Sequence, residues 1–219
     1  MIFHIFSIFP ESFESYFNSS ILSRAQENNL IKINIHNIRD FTEDKHSKTD
    51  DSPYGGGPGM VMKIEPIVKS LEFVFGKKRQ KPLAILTSAS GEFFNQDIAK
   101  TYSKKHKEIA LICGHYEGVD ERLKKVLSDL GYEVDELSIG SYVLTGGELP
   151  AMVIVDSISR YLPGVLGKEE SLEDNRGFYP SFTRPDVFEY KGKKYEVPEV
   201  LVSGDHKKIE DWRKKNSKK

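Results

Sequence analysis

The chain reads as an α/β domain built on a mostly parallel sheet, followed by a small polar module. Two observations carry that expectation. Short apolar runs alternate with segments of helical spacing through the first two-thirds of the chain. The alternation then ends near Leu166, and a polar stretch poor in apolar residues follows. The predicted organisation is a large domain over residues 1–166, a linker over 167–180 and a small helical module over 181–219.

The elements follow in order. Residues 2–9 read as a buried strand stopped by Pro10, and residues 11–28 carry helical spacing, with Ser19 or Ser20 capping their second half. Ile31-Lys32-Ile33-Asn34-Ile35 alternates strictly, as a half-exposed strand does. Residues 39–60 are polar and then glycine-rich, a long loop. Residues 64–75 are helical, and a basic turn over 77–81 leads to a strand at 83–87. A helix is expected at 95–105, a strand at 108–113, a helix at 119–130 and a strand at 132–138. The last helix of the domain covers 147–162, with Pro150 in its first turn, where a missing N–H does no harm.

Composition narrows the class. With 32 Lys and Arg against 33 Asp and Glu, the whole chain is no polycation, so nucleic-acid contact must come from local patches. One such patch lies over residues 205–219, where seven Lys and Arg face three Asp and Glu. Cys113 is the only cysteine, which excludes an internal disulfide and suits a reducing compartment. The apolar N-terminus lacks the basic region of a signal peptide, and no apolar run reaches about 18 residues. The expectation is a soluble, cytoplasmic protein.

The segment most able to carry a ligand is Ser138-Ile139-Gly140-Ser141-Tyr142-Val143-Leu144-Thr145-Gly146-Gly147-Glu148-Leu149-Pro150. Its glycines can lay bare backbone N–H and C=O groups against a flat ligand. It holds no lysine, so it is no phosphate cradle of the P-loop kind. Ligands of α/β folds sit at strand ends, and two other strand ends are rich in small residues: Leu86-Thr87-Ser88-Ala89-Ser90-Gly91 and Cys113-Gly114-His115-Tyr116-Glu117-Gly118. One crevice built from all three is more specific than any of them alone. A second glycine cluster, Gly55-Gly56-Gly57-Pro58-Gly59-Met60, follows Asp44, His46, Asp50 and Asp51; it reads either as a surface loop or as a close approach to a base or sugar.

Other candidates weigh less. Cys113 ends an apolar strand and reads as a core residue rather than a nucleophile. His115 has no Cys or Asp partner evident in the sequence, which favours a structural role. The six histidines show no H-x-x-x-H or C-x-x-C spacing for a metal. Asp156 and Arg160 stand four apart on a helix, either a surface pair or a guanidinium aimed at developing negative charge. Glu173 and Asp174 place carboxylates on the linker.

Together these pieces resemble the bacterial tRNA guanine-N1 methyltransferases, the TrmD family of the SPOUT class. The matching pieces run in order through almost the whole chain. They are Ser7-Ile8-Phe9-Pro10, Arg39-Asp40-Phe41-Thr42, the run Asp50 to Met60, Cys113-Gly114-His115-Tyr116-Glu117-Gly118-Val119-Asp120-Glu121-Arg122, the Ser138 to Pro150 segment, Arg160, Pro163-Gly164-Val165-Leu166-Gly167, Thr183-Arg184-Pro185, and His206, Ile209, Trp212 and Arg213.

The resemblance implies a deep trefoil knot, which periodicity could not indicate because threaded chains are rare. It also implies a homodimer with active sites between subunits, and S-adenosyl-L-methionine as methyl donor. The donor would be held by Leu86, Thr87, Ser88, Ala89, Gly114, Glu117, Ser138, Ile139, Gly140, Ser141, Tyr142, Val143, Leu144, Gly146, Gly147 and Pro150. The acceptor would be N1 of the guanosine immediately 3′ of the tRNA anticodon. Asp174 is the implied general base and Arg160 the group that stabilises charge on guanine O6; the linker is shorter than the family's, which leaves Glu173 as an alternative to Asp174. Ser141 stands where the family often has Asp. Tyr54, Gly55, Gly59, Arg184, Trp212 and Arg213 would contact tRNA. The transfer itself needs no metal, and a magnesium requirement, though compatible, has no identifiable site.

Overall fold

The computed structural model describes residues 1–167 and 178–217, in two units, Met1–Leu166 and Gly167–Lys219. The first is an α/β fold around five parallel strands: β1 (Ile2–Ser7), β2 (Lys32–Asn37), β5 (Leu83–Phe93), β6 (Glu108–Cys113) and β7 (Glu133–Ser138), in the order β2-β1-β6-β5-β7. Two further strands, β3 (Asp50–Asp51) and β4 (Val61–Met62), pair antiparallel within the long polar loop. The helices are α1 (Glu14–Phe17), α2 (Ser20–Glu27), α3 (Ile64–Phe75), α4 (Gln96–Lys105), α5 (Arg122–Asp129) and α6 (Glu148–Ser159).

The central strands are near-continuous apolar runs because each buries both faces. Successive side chains point to opposite sides. Phe3, Ile5, Leu83, Ile85, Ile109 and Leu111 therefore meet Leu22, Ala99 and Ile154 from α2, α4 and α6. Phe6, Ala84, Leu86, Ala110 and Ile112 meet Ile67, Leu71 and Phe75 of α3 and Leu123 and Leu127 of α5. Helices thus cover both faces of the sheet, the arrangement that sends ligands to its strand ends.

Several boundaries differ from the sequence expectation for identifiable reasons. The segment 11–28 is not one helix. A 3-10 turn at Pro10–Phe13 leads into α1, and α2 begins only after Ser19, which is extended (φ −119°, ψ 145°). Ser19 holds the N-cap position but its Oγ donates back to the Ser15 carbonyl, so it caps nothing. The helix expected from 119 starts at Arg122, because Val119 is used in a parallel bridge to Met62 and Asp120 accepts from the Arg122 N–H. β5 runs past the expected Thr87 to Phe93. Residues 88–91 loop out of it, so that Thr87 and Glu92 both register with Leu137.

A polar chain crosses the edge of the sheet. His36 Nε2 lies 2.9 Å from His4 Nδ1, and His4 Nε2 lies 3.1 Å from Glu108 Oε1. The Lys78 ammonium donates to both Glu108 oxygens at 2.6 Å. Burial lowers both histidines despite the upward pull of Glu108 on His4, and His36 falls to about 4 from an ordinary 6.5. The folded state thus holds fewer protons than the unfolded chain between those two values. Stability is full above pH 6.5 and drains as pH falls towards 4. Thermal melts across that window should show the loss, and a His36→Phe variant should show less of it.

The second unit is not wholly helical, contrary to the sequence expectation. It contains an antiparallel hairpin, β8 (Val187–Tyr190) with β9 (Lys193–Glu196), and two helices, Glu199–Val202 and His206–Asn216. The hairpin turn is Lys191-Gly192, with φ of +50° and +73°. Positive φ at both central residues marks a two-residue turn of the primed kind, whose twist matches the strands it joins. The longer helix is capped by Asp205, whose Oδ1 accepts from the Lys208 N–H at 3.2 Å. Among the described residues no helix is long and apolar enough to cross a membrane.

Candidate functional site

Three strand ends converge on one cavity of about 370 Å³ in the first unit. β5 contributes Leu86, Thr87, Ser88 and Ala89; the loop after β6 contributes Gly114 and Glu117. The segment after β7 contributes Ser138, Ile139, Gly140, Tyr142, Val143, Leu144, Gly146, Gly147 and Pro150. Of the residues expected to share a ligand, Ser141 alone does not line the cavity; it is exposed.

The loops are locked together by backbone. The Gly147 N–H donates to the Gly114 carbonyl at 2.7 Å, and His115 forms an antiparallel bridge with Gly146. This approach is what glycine at 147 permits. A Cβ there would lie 2.0 Å from Thr87 Oγ1, 2.8 Å from Cys113 Cα and 2.8 Å from Gly114 N. Two of those atoms belong to backbone and cannot step aside. Overpacking of that kind costs about 1–3 kcal/mol of stability, and it displaces two walls of the cavity, so affinity for whatever occupies the cavity falls as well. Gly147→Ala should show both losses, in thermal melts and in calorimetry. Gly167→Ala, where a Cβ meets nothing within 4 Å, is the neutral control.

The second glycine cluster lies beside this cavity. Glu117 N–H donates to the Met60 carbonyl at 3.0 Å and Met62 N–H to the Gly118 carbonyl at 2.9 Å. Gly59 sits at φ +87°, a conformation that favours glycine, and the Glu117 side chain packs against it. Tyr54 is 98% exposed next to Gly55. The loop therefore presents a ring to solvent.

Sequence reasoning missed two groups. The first is a charged cluster on the cavity wall. Lys124 of α5 bonds Glu121 and donates to Glu136 Oε2 of β7 at 2.9 Å, while Ser90 Oγ reaches Glu136 Oε1 at 3.4 Å. The Lys124 hydrogen bond holds the Glu136 carboxyl below its usual range. The lysine absent from the glycine segment is thus present in the cavity, but two carboxylates engage it. The available signal was the two-residue period of β7, which puts Glu136 on the same face as Ser138.

The second is a carboxylate behind His115. Glu148 of α6 is buried, accepts from Ser7 Oγ at 2.6 Å and places Oε2 3.9 Å from His115 Nδ1. That Nδ1 is buried without a hydrogen-bond partner. The sequence showed no Cys or Asp partner for His115; the structure gives it a glutamate neighbour 33 positions later, invisible to local spacing. Cys113 is fully buried and its thiol is pushed far up by desolvation, as befits a core residue.

Arg160 is the C-cap of α6, half-buried, with its N–H on the Asp156 carbonyl at 3.1 Å. Asp156 Oδ2 accepts from Tyr16 OH at 2.5 Å, a contact that raises the phenol to about 12. Asp174 and Glu173 lie outside the described residues. In the second unit, Arg184, Trp212 and Arg213 share a concavity of about 490 Å³. There the Arg213 guanidinium lies 5.0 Å from the Tyr179 ring centre and Trp212 meets Phe182 edge-on. Among the described residues no group of three or more His, Cys, Asp or Glu is arranged to hold a metal ion.

Comparison with known proteins agrees along the whole length. The family model of tRNA (Guanine-1)-methyltransferase TrmD matches residues 1–219. A tRNA (guanine-N(1)-)-methyltransferase of Carboxydothermus hydrogenoformans is 50% identical over 218 residues, covering 97% of this chain and 81% of the relative. The protein of that name in Clostridioides difficile is 49% identical over 223 residues, covering 99% of this chain and 92% of the relative. One in Dictyoglomus turgidum is 50% identical over 220 residues, covering 98% and 84%.

Proposed function

The chain belongs to the tRNA (guanine-1)-methyltransferase TrmD family, and from that premise we propose that it methylates N1 of the guanosine immediately 3′ of the tRNA anticodon. The single observation that carries the reading is the convergence of the three predicted strand-end loops on one cavity. The cavity suits S-adenosyl-L-methionine. Backbone around Gly140, Gly146 and Gly147 offers hydrogen-bonding groups to an uncharged ring. The Glu136 carboxylate on the cavity wall suits a ligand bearing an ammonium group. Because Lys124 is already matched by carboxylates, a polyphosphate is disfavoured. The bound donor supplies an electrophilic methyl group on a sulfonium.

The rest of the chemistry falls to side chains. N1 of guanine carries a proton and is a poor nucleophile. Asp174 accepts that proton while bonding the N2 amino group, the task of a positioned general base. The negative charge left behind is shared with O6, where the Arg160 guanidinium stabilises it. Tyr54, Gly55 and Gly59 approach the base, which must be splayed from its loop to be reached. Arg184, Trp212 and Arg213 hold the tRNA, as a mixture of rings and guanidinium groups is suited to do.

Membership of the family carries with it a trefoil knot in this domain. The reading carries with it a homodimer whose active sites lie between subunits, each linker carboxylate serving the partner's pocket, and work in the cytoplasm. Transfer of labelled methyl from S-adenosyl-L-methionine to a tRNA transcript tests the proposal. Label should enter a transcript with guanosine 3′ of the anticodon and not one with adenosine there. Equal labelling of both would refute the assignment of the target.

A further inference from the structure

The hairpin of the second unit has two chemically different faces. Phe188 pairs with Tyr195 and Tyr190 with Lys193, and residues opposite one another in a ladder share a face. Phe188, Tyr190, Tyr195 and Lys193 therefore lie together. Val187, Glu189, Lys194 and Glu196 take the other face, where Lys194 Nζ pairs with Glu189 at 3.2 Å. Both acidic residues of the hairpin strands are thus kept off the aromatic face.

The aromatic face is open. Phe188, Tyr190 and Tyr195 are 56%, 55% and 55% exposed. The Phe188 and Tyr190 rings lie within 9° of parallel with centres 6.3 Å apart, and Tyr195 packs 6.3 Å from Phe188. Lys191, lifted by the turn, places its ammonium 5.4 Å from the Tyr190 ring centre. Three half-exposed rings in one row would be a liability for a hairpin facing only water. A row of rings edged by ammonium groups, with the carboxylates turned away, matches unpaired nucleic acid: bases stack on the rings and phosphates meet the lysines.

We propose that Phe188, Tyr190 and Tyr195, with Lys191 and Lys193, form a platform on which unpaired bases of the RNA substrate stack. The proposal rests on the reading of tRNA as substrate. Charge selects RNA over a protein partner, since the face carries cations and no carboxylate of the hairpin strands. It is separate from the concavity of Arg184, Trp212 and Arg213, which none of these five residues lines.

The test uses the full chain, a tRNA transcript and S-adenosyl-L-methionine. Tyr190→Leu should weaken tRNA binding about tenfold, the worth of one stacked base, and Tyr190→Phe should restore it because the ring returns. Phe188→Ala with Tyr195→Ala should lose more, with donor affinity by calorimetry unchanged in every variant. Lys191→Gln with Lys193→Gln should flatten the dependence of log affinity on log salt by about 1.4 units, about 0.7 for each lysine. The leucine variant retains an apolar residue, so a folded protein remains for measurement. Unchanged tRNA affinity in folded variants would overturn the platform, as would a change of oligomeric state with tRNA affinity intact, which would assign the face to a protein contact. Wild-type protein that binds no tRNA would instead remove the substrate reading itself.

Discussion

An Asp174→Ala enzyme should bind S-adenosyl-L-methionine with wild-type affinity and lose turnover by about 10²- to 10⁴-fold, the range for removal of a positioned general base. The loss follows from the acceptor. Guanine N1 holds its proton at neutral pH, and attack on the methyl group must be accompanied by removal of that proton. No change in donor binding is expected because the donor cavity is walled by residues of the first unit. Asp174→Asn separates the base from the hydrogen bond: it keeps shape and polarity yet cannot take the proton, so it should be nearly as slow. Glu173→Ala is the companion variant. If it is the slow one and Asp174→Ala is active, the base sits one residue earlier than assigned.

Arg160→Ala should cost about 10²- to 10³-fold in kcat, the loss measured when one donor to a developing oxyanion is removed. The effect should appear in kcat more than in KM, because the O6 charge exists chiefly in the transition state. Arg160 occupies the C-cap of α6, anchored through its N–H to Asp156, and the strands and helices packed on α6 fix its backbone. Arg160→Lys keeps the charge but not the planar fork and should recover only part of the rate. Single-turnover kinetics with melts in parallel read the outcome. A variant that is slow because α6 is loosened would show a lowered Tm, and one that is slow through lost charge stabilisation would not.

Much of the first unit was legible because its physics is local. The runs at 83–86 and 109–113 are apolar throughout, and the structure buries them between helices on both faces. The glycine segment from Ser138 announced exposed backbone, and the structure turns that backbone towards a cavity. What stayed hidden depended on partners distant in sequence. Val119 opens the segment of helical spacing, yet a bridge to Met62 takes it out of α5. Glu148 reaches His115 across 33 positions and Ser7 across 141. Lys124 enters the cavity only because α5 packs beside β7.

The hairpin was missed for a different reason. Its strands alternate visibly as Val187-Phe188-Glu189-Tyr190 and Lys193-Lys194-Tyr195-Glu196. The turn, however, is Lys-Gly rather than the Asn-Gly or Asp-Gly that flags such hairpins, and a lysine at φ +50° is uncommon. The implied catalytic carboxylate belongs to neither group, since its identity rests on the family pattern and on the demands of guanine chemistry.

The most direct test of the central claim is nucleoside analysis of the product. Purified protein is incubated with S-adenosyl-L-methionine and a tRNA transcript bearing guanosine immediately 3′ of the anticodon, and the RNA is digested and its nucleosides separated by mass and retention. The account predicts 1-methylguanosine, in amounts approaching one per transcript and traceable to that position by fragment mapping. Methylation confined to another base or another atom of guanine, or an unmodified transcript under conditions where calorimetry shows the donor bound, would contradict it.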